Sequence, residues 1–502
     1  MPDALPLPPD ALLARHLDAL LGAEAASAAP ALRERLRWVE VAGGQTLMRQ
    51  GEVGDAMYLV LSGRLRAEAV ADGAPPRPVG DLVRGDVVGE VSLIGGVPRS
   101  ATVTALRDTV LARLDRDDWF ALLADHPGLA LALGRRAAAR LQPRRPCADR
   151  PVTMALLPIS DGVDDEAFAR RLAAALRAVG RVAVVGPGRI DADLGQPGAA
   201  RSDGDALLQR RIALRLDEIE AEHDFVLLLG DPAPTPWTRR CCRHADEVLL
   251  LADADQPPRL HATEKECLLT SRSVAGRRDV LVLLHPATRR SPRGTRAWLD
   301  RRPVADHVHV RPALQRDMAR LARLQSRTAV GLVLAGGGAR GFAHLGVYRA
   351  LRERGVEVDV VGGTSIGAVM ATYVASDRPL DAIESNVRRA FARSPTGDLS
   401  WLPLLSLFRG RRLRATLDSA IDDLLGFDAD VEDLWKNHYS VATNVSQARE
   451  QVLRRGNLVR ALMASIAIPG ALPPVVEDGD LLCDGGTFNN FPVDVMQGMR
   501  GV

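Results

Sequence analysis

The sequence is poor in cysteine, and its basic residues include almost no lysine. The cysteines are odd in number and form no C-x-x-C pair: Cys147, Cys241, Cys242, Cys267 and Cys483. This usage excludes a disulfide framework and a zinc site of the usual spacing, so we predict no metal site. It fits a reducing compartment, and we expect a cytoplasmic protein.

A large charge of one sign is also absent. The 65 basic and 63 acidic residues leave a net charge of +2, which is too small for the field that nucleic-acid binding needs. Only Lys265 and Lys436 are lysines, and we attribute the abundant arginine to overall composition. We therefore predict no nucleic-acid partner.

The sequence offers no signal peptide and no long apolar run. Asp3 and Asp10 stand where a signal peptide carries lysine or arginine. The longest uncharged stretch, Val360–Ser376, is broken by glycines and is shorter than the roughly 20 apolar residues that span a bilayer. We expect no transmembrane helix, and at most a peripheral contact with the inner membrane face.

At about 150 residues per domain, a chain of 502 residues argues for roughly three domains. We predict a multidomain α/β protein with a helical segment at 1–30, a β-roll domain at 31–142, an α/β domain at 150–310 and an α/β hydrolase domain at 329–502. Short β-type runs separated by glycines predict the β-roll. A proline-rich stretch at 142–151 is typical of a linker.

The middle domain alternates apolar runs with helical segments, which predicts a parallel sheet. The runs are Val152–Ile159, Val182–Val185, Phe225–Leu229, Val248–Leu251 and Val280–Leu284. No G-x-x-x-x-G-K-[ST] motif follows the first run, so this domain has no P-loop and we assign it no chemistry. A connecting helix is predicted over 311–327.

The strongest chemical signals lie after residue 330. A buried-strand run, 331–335, is followed by Gly336-Gly-Gly-Ala-Arg-Gly341 and a predicted helix over 342–354. Strand, G-x-G-x-x-G and helix together also describe a dinucleotide-binding unit, which needs an acid at the end of its second strand. That strand, predicted over 358–361, ends at Gly362 instead, and we disfavour this alternative.

The second strand leads into Gly363-Thr-Ser365-Ile-Gly367. G-x-S-x-G on a strand-to-helix turn exposes the serine hydroxyl as a nucleophile, and the upstream glycine loop could supply amides to an oxyanion. A serine nucleophile also needs a base. His438 is the only histidine after Ser365, and none follows Asp484. A Ser365/Asp484 dyad is therefore the economical interpretation.

The glycine loop, the G-x-S-x-G turn and Asp484-Gly-Gly, in this order, resemble the three signatures of the patatin-like phospholipases. Ser406-Leu-Phe-Arg-Gly and Glu432-Asp-Leu-Trp resemble their neuropathy target esterase branch. The resemblance implies Ser365 as nucleophile, Asp484 as base and a phospholipid or lysophospholipid substrate, with no catalytic cofactor. Because the family's domain extends further, it also implies that the sequence is truncated at Val502. The resemblance further implies an elbow at Gly363 and Gly367 and an oxyanion hole at Gly336, Gly337, Gly338, Ala339, Arg340 and Gly341.

The segment 89–102 resembles the phosphate-binding cassette of cyclic-nucleotide-binding domains. An acid suits the ribose 2′-hydroxyl, and an arginine suits the cyclic phosphate. The resemblance implies cAMP or cGMP as a regulatory ligand. The implied binding residues are Gly89, Glu90, Arg99, Ser100 and Ala101.

The leading hypothesis is thus a serine esterase acting on (lyso)phospholipid, with a cyclic-nucleotide sensor. The alternative is a catalytically inactive scaffold or signalling protein that binds nucleotide or membrane. An apolar run, 401–408, followed by four arginines is typical of a segment lying on an anionic bilayer. It also fits a buried helix with a solvated basic end, which we favour slightly.

Overall fold

The computed structural model describes residues 17, 26–70, 76–131, 134, 152–203, 206–269, 279–394 and 397–502. The predicted helical segment at 1–30 falls mostly outside these residues, as do the linker and the end of the predicted β-roll domain. The chain forms two compact units, one of Met1–Leu250 with Leu260–Asp279 and one of Leu251–Arg259 with Val280–Val502. The predicted domain boundaries stay predictions.

The first unit opens with the predicted β-roll, in which described strands form two four-stranded sheets of order β1-β8-β3-β6 and β2-β7-β4-β5. These strands are β1 (Arg37–Val41), β2 (Thr46–Met48), β3 (Ala56–Ser62), β4 (Arg64–Ala69), β5 (Arg77–Val83), β6 (Val87–Val88), β7 (Thr102–Ala105) and β8 (Thr109–Asp115). They are accompanied by α1 (Ala29–Arg35), α2 (Glu90–Gly95) and α3 (Arg116–Asp125).

Strand β3 is buried on both faces. Met57, Leu59 and Leu61 join one apolar cluster, together with Trp119 of α3. The intervening Tyr58 and Val60 join another. Because successive side chains of a strand point to opposite faces, a strand between two cores has a continuous apolar run. The run therefore predicted a strand without showing the usual alternation.

The first unit continues with a parallel sheet of order β10-β11-β9, which confirms the βαβ prediction. Its strands are β9 (Thr153–Pro158), β10 (Val182–Val185) and β11 (Phe225–Leu229), and β12 (Glu247–Asp253) crosses the boundary between the units. The helices are α4 (Asp165–Leu176), α5 (Pro187–Leu194), α6 (Ala206–Glu222), α7 (Pro236–His244) and α8 (Ala262–Glu264). Asp164 begins α4 by accepting a hydrogen bond from the amide of Ala167.

The second unit begins with the parallel pair β13 (Val280–Leu284) and β14 (Asp306–Val310). It also contains α9 (Thr295–Leu299) and α10 (Gln315–Ser326), and α10 confirms the predicted connecting helix. Strand β14 was not predicted, because its sequence Asp-His-Val-His-Val lacks an apolar run.

The hydrolase sheet has the order β15-β16-β17-β20-β19, with β18 also paired to β17. Its strands are β15 (Gly331–Leu334), β16 (Val360–Thr364), β17 (Asn437–Asn444), β18 (Arg449–Leu453), β19 (Val475–Glu477) and β20 (Asp480–Asp484). The helices are α11 (Ala343–Glu353), α12 (Ile366–Ala375), α13 (Leu380–Ala390), α14 (Arg411–Leu425), α15 (Leu458–Ser465) and α16 (Val493–Gln497).

The register of β17 brings two strand ends together. Strand β18 pairs with residues 440–444 along one edge of β17. Strands β16 and β20 must therefore share the other edge, where Thr364 pairs with Val441 and Asp484 pairs with Ala442. Ser365 and Asp484 thus stand at adjoining strand ends, although 119 residues separate them along the chain.

The segment 401–408 is not the buried helix that we favoured. It contains no helix, and Trp401 and Leu404 are 94% and 81% exposed. The helix begins only at Arg411. Within the described residues, we find no helix with both the length and the apolar character to cross a bilayer.

A buried ion pair fixes α10 to the hydrolase sheet. Arg323 donates to both carboxylate oxygens of Asp359, at 2.8 and 2.6 Å. The same carboxylate accepts from the amide of Val330, at 3.0 Å, and its side chain is 1% exposed. The pair therefore sets the direction in which the chain enters β15.

We expect Asp359→Ala to lower the free energy of unfolding by about 3 kcal/mol, because it leaves Arg323 without its buried partner. Urea unfolding followed by tryptophan fluorescence measures the change. Glu357→Ala is the matched control, since Glu357 pairs with Arg352 at the surface and should cost less than about 1 kcal/mol. Equal losses for the two variants would contradict this assignment.

Candidate active site

The predicted nucleophile stands on a sharp turn between β16 and α12. Ser365 has φ +56°, a left-handed conformation that is strained for a residue with a side chain. A Cβ atom on Gly363 or Gly367 would lie 2.3 or 2.0 Å from the carbonyl oxygen of Leu334. Both positions therefore require glycine, and the turn lies directly against the end of β15.

Ser365 and Asp484 are in direct contact. The Oγ of Ser365 donates to Oδ2 of Asp484 at 2.7 Å. The other carboxylate oxygen accepts from the amide of Gly486, also at 2.7 Å. Burial raises the pKa of Asp484, and the hydrogen bonds from Ser365 and Gly486 oppose that rise. The site thus pairs a hydroxyl with a carboxylate that is more basic than an exposed one.

The amide of Ser365 has its own acceptor, which sequence reasoning missed. It donates to Oγ of Ser465 at 2.8 Å, and that hydroxyl donates to the carbonyl of Val441 at 2.6 Å. Ser465 is fully buried at the end of α15. Its hydroxyl stabilises the strained turn by accepting from the amide of Ser365, the residue that follows β16. In the sequence, the single hydroxyl residue within the apolar run 464–468 could have indicated this role.

The predicted oxyanion loop lies beside the nucleophile. A Cβ atom on Gly336 would be 3.3 Å from Cβ of Ser365. The amide of Gly336 donates to the carbonyl of Asn490 at 3.1 Å, so it is already used. The amides of Gly337 and Gly338 meet no acceptor among the described residues, and they are the better candidates for oxyanion donors.

The rest of the loop has other roles. Gly341 is buried, and a Cβ atom there would lie 2.4 Å from the side chain of Ile366 at the start of α12. Ala339 and Arg340 are exposed in a 3-10 turn over Gly338–Phe342. The loop is therefore anchored at Gly336 and Gly341, and its middle faces outward.

Asn490 was also missed as a positioning residue. Besides accepting from Gly336 through its carbonyl, its side-chain Oδ1 occupies the space where a Cβ of Gly336 would lie, at 2.3 Å. The neighbouring Asn489 carbonyl accepts from Oγ1 of Thr364 at 2.8 Å. The segment 489–490 therefore connects the glycine loop to the strand that carries the nucleophile.

His438 does not join this site. It is buried on β17, where its Nε2 contacts Oγ of Ser440 at 3.2 Å. Burial lowers its pKa to about 3, against a weaker opposing effect of a backbone hydrogen bond. The imidazole is therefore neutral in the core of the sheet.

In the β-roll, the predicted cassette closes around Arg99. The guanidinium is 4% exposed and donates to the carbonyls of Gly89, at 3.0 Å, and Ala56, at 2.7 Å. Gly89 has φ +87°, and a Cβ atom there would lie 2.3 Å from Nη1 of Arg99. Glycine is thus required where the chain passes the guanidinium, which is held in a fixed position.

The other cassette residues fit an anionic ligand. Glu90 is buried at the first position of α2, following Gly89. Ser100 is exposed, and the amides of Ser100 and Ala101 find no acceptor in the described part of the chain. Two amides beside a fixed guanidinium are the donors that a phosphate needs.

A third polar cluster lies in the middle domain, for which no chemistry was predicted. Asp217, Glu220 and His244 place ligand-type atoms within 4.8 Å of one another. Arg107, from the turn between β7 and β8, donates to both oxygens of Glu220 at 2.6 and 2.7 Å. The cluster therefore already contains its cation, and we interpret it as an ion-pair network that fixes the β-roll to α6.

Three family models match the chain in succession. They are a cyclic nucleotide-binding domain over residues 38–126, a neuropathy target esterase family P-loop like domain over 151–332 and a patatin-like phospholipase over 332–496. Rat patatin-like phospholipase domain-containing protein 7 is 32% identical over 92% of this chain and 37% of its own length. Neuropathy target esterase sws of Drosophila melanogaster is 32% identical over 92% and 35%.

Over nine-tenths of its length, the chain is similar to the neuropathy target esterase branch of the patatin-like phospholipases. It spans about a third of the length of the curated relatives that it matches.

Two solved structures are similar to a part of this chain. The regulatory domain of Toxoplasma gondii PKA with cAMP is 28% identical, covering 26% of this chain and 50% of that one, with a TM-score of 0.24. The catabolite activator protein of Thermus thermophilus is 26% identical, covering 40% and 87%, with a TM-score of 0.23.

The middle domain of this chain matches a P-loop like model without the P-loop signature. Strand β9 is followed by Ile159-Ser-Asp-Gly-Val, which contains no lysine to contact a phosphate. The prediction of a parallel-sheet domain without a P-loop sequence is consistent with this match.

We expect Gly367→Ala to lower the free energy of unfolding by at least about 2 kcal/mol, because the new methyl group overlaps the Leu334 carbonyl. Thermal unfolding measures the effect. Gly346→Ala, within α11, is the control: nothing lies within 4 Å of its Cβ position, so this variant should gain up to about 1 kcal/mol from helix propensity. A harmless Gly367→Ala would show that the turn is not tightly packed.

Proposed function

We propose that this protein is a serine esterase that hydrolyses carboxyl esters of phospholipid or lysophospholipid. The observation that carries the proposal is the 2.7 Å hydrogen bond from Ser365 to Asp484, within the segment that matches the patatin-like phospholipase model. The names of the relatives, esterase and phospholipase, support the same reaction class.

In the proposed mechanism, Asp484 accepts the proton of Ser365 as Oγ attacks the ester carbonyl carbon. The negative charge moves to the carbonyl oxygen, where the amides of Gly337 and Gly338 can stabilise it. The intermediate expels the alcohol, which takes the proton from Asp484. Water then attacks the acyl-serine and gives its proton to Asp484, and the free fatty acid leaves as the proton returns to Oγ.

The surroundings of the dyad suit an acyl chain. Ile468, Phe488 and Phe491 are each at least half exposed. Ile468 follows Ala467, whose carbonyl accepts from the amide of Asp484, and the two phenylalanines follow Asp484 within seven residues. Apolar side chains near a reactive pair are typical of pockets for apolar ligands. We accordingly assign a lipid substrate, and we propose a cytoplasmic location with access to the inner membrane face.

We further propose that cAMP or cGMP binds the β-roll. Arg99 and the amides of Ser100 and Ala101 would hold the cyclic phosphate, and Glu90 would accept from the ribose hydroxyl. Regulation of hydrolysis would require the nucleotide to bind the active and inactive arrangements with different affinities. Binding and regulation therefore need separate measurements.

The rival proposal is a scaffold that has lost catalysis. A fluorophosphonate probe separates the two, because it forms an adduct only with an activated serine. Labelling that disappears in Ser365→Ala supports the esterase. An unlabelled, folded wild-type protein supports the scaffold.

We expect Ser365→Ala and Asp484→Asn each to lower kcat for a lipid ester by at least about a thousandfold, because nucleophile and base act as one unit. Release of fatty acid from lysophosphatidylcholine measures the loss. His438→Gln is the control, and it should retain most of the activity. If His438→Gln were as damaging as Ser365→Ala in a folded protein, the dyad would have to be replaced by a triad.

We expect Arg99→Gln to weaken binding of cAMP or cGMP about 10- to 100-fold, because the phosphate loses a charge-assisted partner. Isothermal calorimetry measures the affinity. Arg113→Gln is the control, since Arg113 pairs with Asp55 and Asp115 at the surface of the same roll. The absence of binding to folded wild-type protein would reduce the β-roll to a docking module.

A further inference from the structure

We propose that residues 399–408, which we name the docking hairpin, bind the hydrolase domain to the surface of an anionic phospholipid bilayer. This inference rests on the proposed function, because it supplies the surface from which a lipid substrate would enter.

The docking hairpin exposes an apolar tip on a fixed base. Leu399 and Phe408 form an antiparallel bridge, and the amide of Ser400 donates to the carbonyl of Leu407 at 2.8 Å. At the tip, Trp401, Leu402, Leu404 and Leu405 are 94%, 65%, 81% and 78% exposed. A contiguous apolar patch of this kind marks an interaction surface, and tryptophan favours the bilayer interface.

The base of the docking hairpin leads directly to the active site. The amides of Leu407 and Phe408 donate to the carbonyls of Gly470 and Ala471, each at 2.9 Å. Three residues before Gly470, the carbonyl of Ala467 accepts from the amide of Asp484 at 2.8 Å. A bilayer bound at the tip would therefore lie on the side of the domain that holds the dyad.

Basic side chains follow the apolar tip. Arg409, Arg411 and Arg412 are exposed and have no carboxylate partner among the residues that the structure describes. Asp398 accepts from the amides of Arg411 and Arg412, so it satisfies the start of α14 and leaves these guanidinium groups unpaired. Apolar residues flanked by unpaired arginines complement a surface of acyl chains and anionic headgroups.

We name Arg409, Arg411 and Arg412 the basic collar. A cavity of about 880 Å³ adjoins this collar. Its lining carries both charge signs beside apolar side chains such as Met463 and Val475: it includes Arg409, Arg411, Arg414, Arg460, Asp418, Asp422 and Asp428. Arg414 pairs with Asp418, and Arg460 pairs with Glu477. Such a lining can accept a lipid headgroup beside an apolar chain. The cavity thus extends the proposed contact from the hairpin into the domain.

Charge argues against a second copy of the chain as the occupant. A twofold contact through this hairpin places the same patch of each copy against the other. It would bring two collars of unpaired arginines together, and like charges across an interface are unfavourable. An anionic bilayer neutralises them.

Vesicle co-sedimentation tests the proposal on full-length protein carrying Ser365→Ala, so that hydrolysis plays no part. The vesicles contain phosphatidylcholine with or without phosphatidylserine. We expect the triple change Trp401→Ala, Leu404→Ala and Leu405→Ala to reduce binding at least tenfold. Arg411→Gln with Arg412→Gln should remove the preference for phosphatidylserine, and added salt should weaken wild-type binding.

The control is Val347→Ala with Arg354→Gln, an exposed apolar residue of α11 and the exposed arginine that follows this helix, which should bind like the parent. Urea unfolding checks that every variant is folded. Unchanged binding by the triple variant would overturn the proposal, as would a dimer in size-exclusion chromatography that the same changes dissociate. Failure of the proposed esterase would instead appear as absent hydrolysis by protein with Ser365 intact.

Discussion

The close approach of the turn at Ser365 to the carbonyl of Leu334 is the constraint on which the candidate active site depends. It leaves room only for glycine at positions 363 and 367, and Ser365 between them has a positive φ of 56°. Such strain persists only when the surroundings fix it. Here Ser465 holds the amide of the turn, and the segment 489–490 holds the adjoining loop.

The shared edge of β17 then completes the site. Strand β17 pairs with β16 and β20, which lie end to end along one of its edges. This pairing brings Ser365 and Asp484 into hydrogen-bond contact. Because the two side chains stand at adjoining strand ends, the pairing of the strands determines their relative position. Trp435 connects the same domain to the end of β14, because its ring packs on the guanidinium of Arg311 at 3.8 Å. The Glu432-Asp-Leu-Trp motif therefore has a structural role.

Local backbone demands explain what could be predicted from the sequence. Gly336–Gly341, Gly363–Gly367 and Asp484 were recognisable because turns and close approaches require particular residue types at fixed spacing. Ser465, Asn490 and Arg107 were not, since their roles depend on partners that are distant in sequence. Strand β14 was hidden by its histidines, and the exposed run at 401–408 has the composition of a core segment.

Burial also supports the proposal that a carboxylate is the base in this domain. Removing water disfavours the charged form of any group, which weakens an imidazole as a base and strengthens a carboxylate. The two cases lie in one sheet: burial lowers the pKa of His438 to about 3, and burial raises the pKa of Asp484. A histidine in place of Asp484 would be a weaker base, because the same desolvation would lower its pKa. The proposed dyad therefore uses the residue type whose basicity this buried site increases.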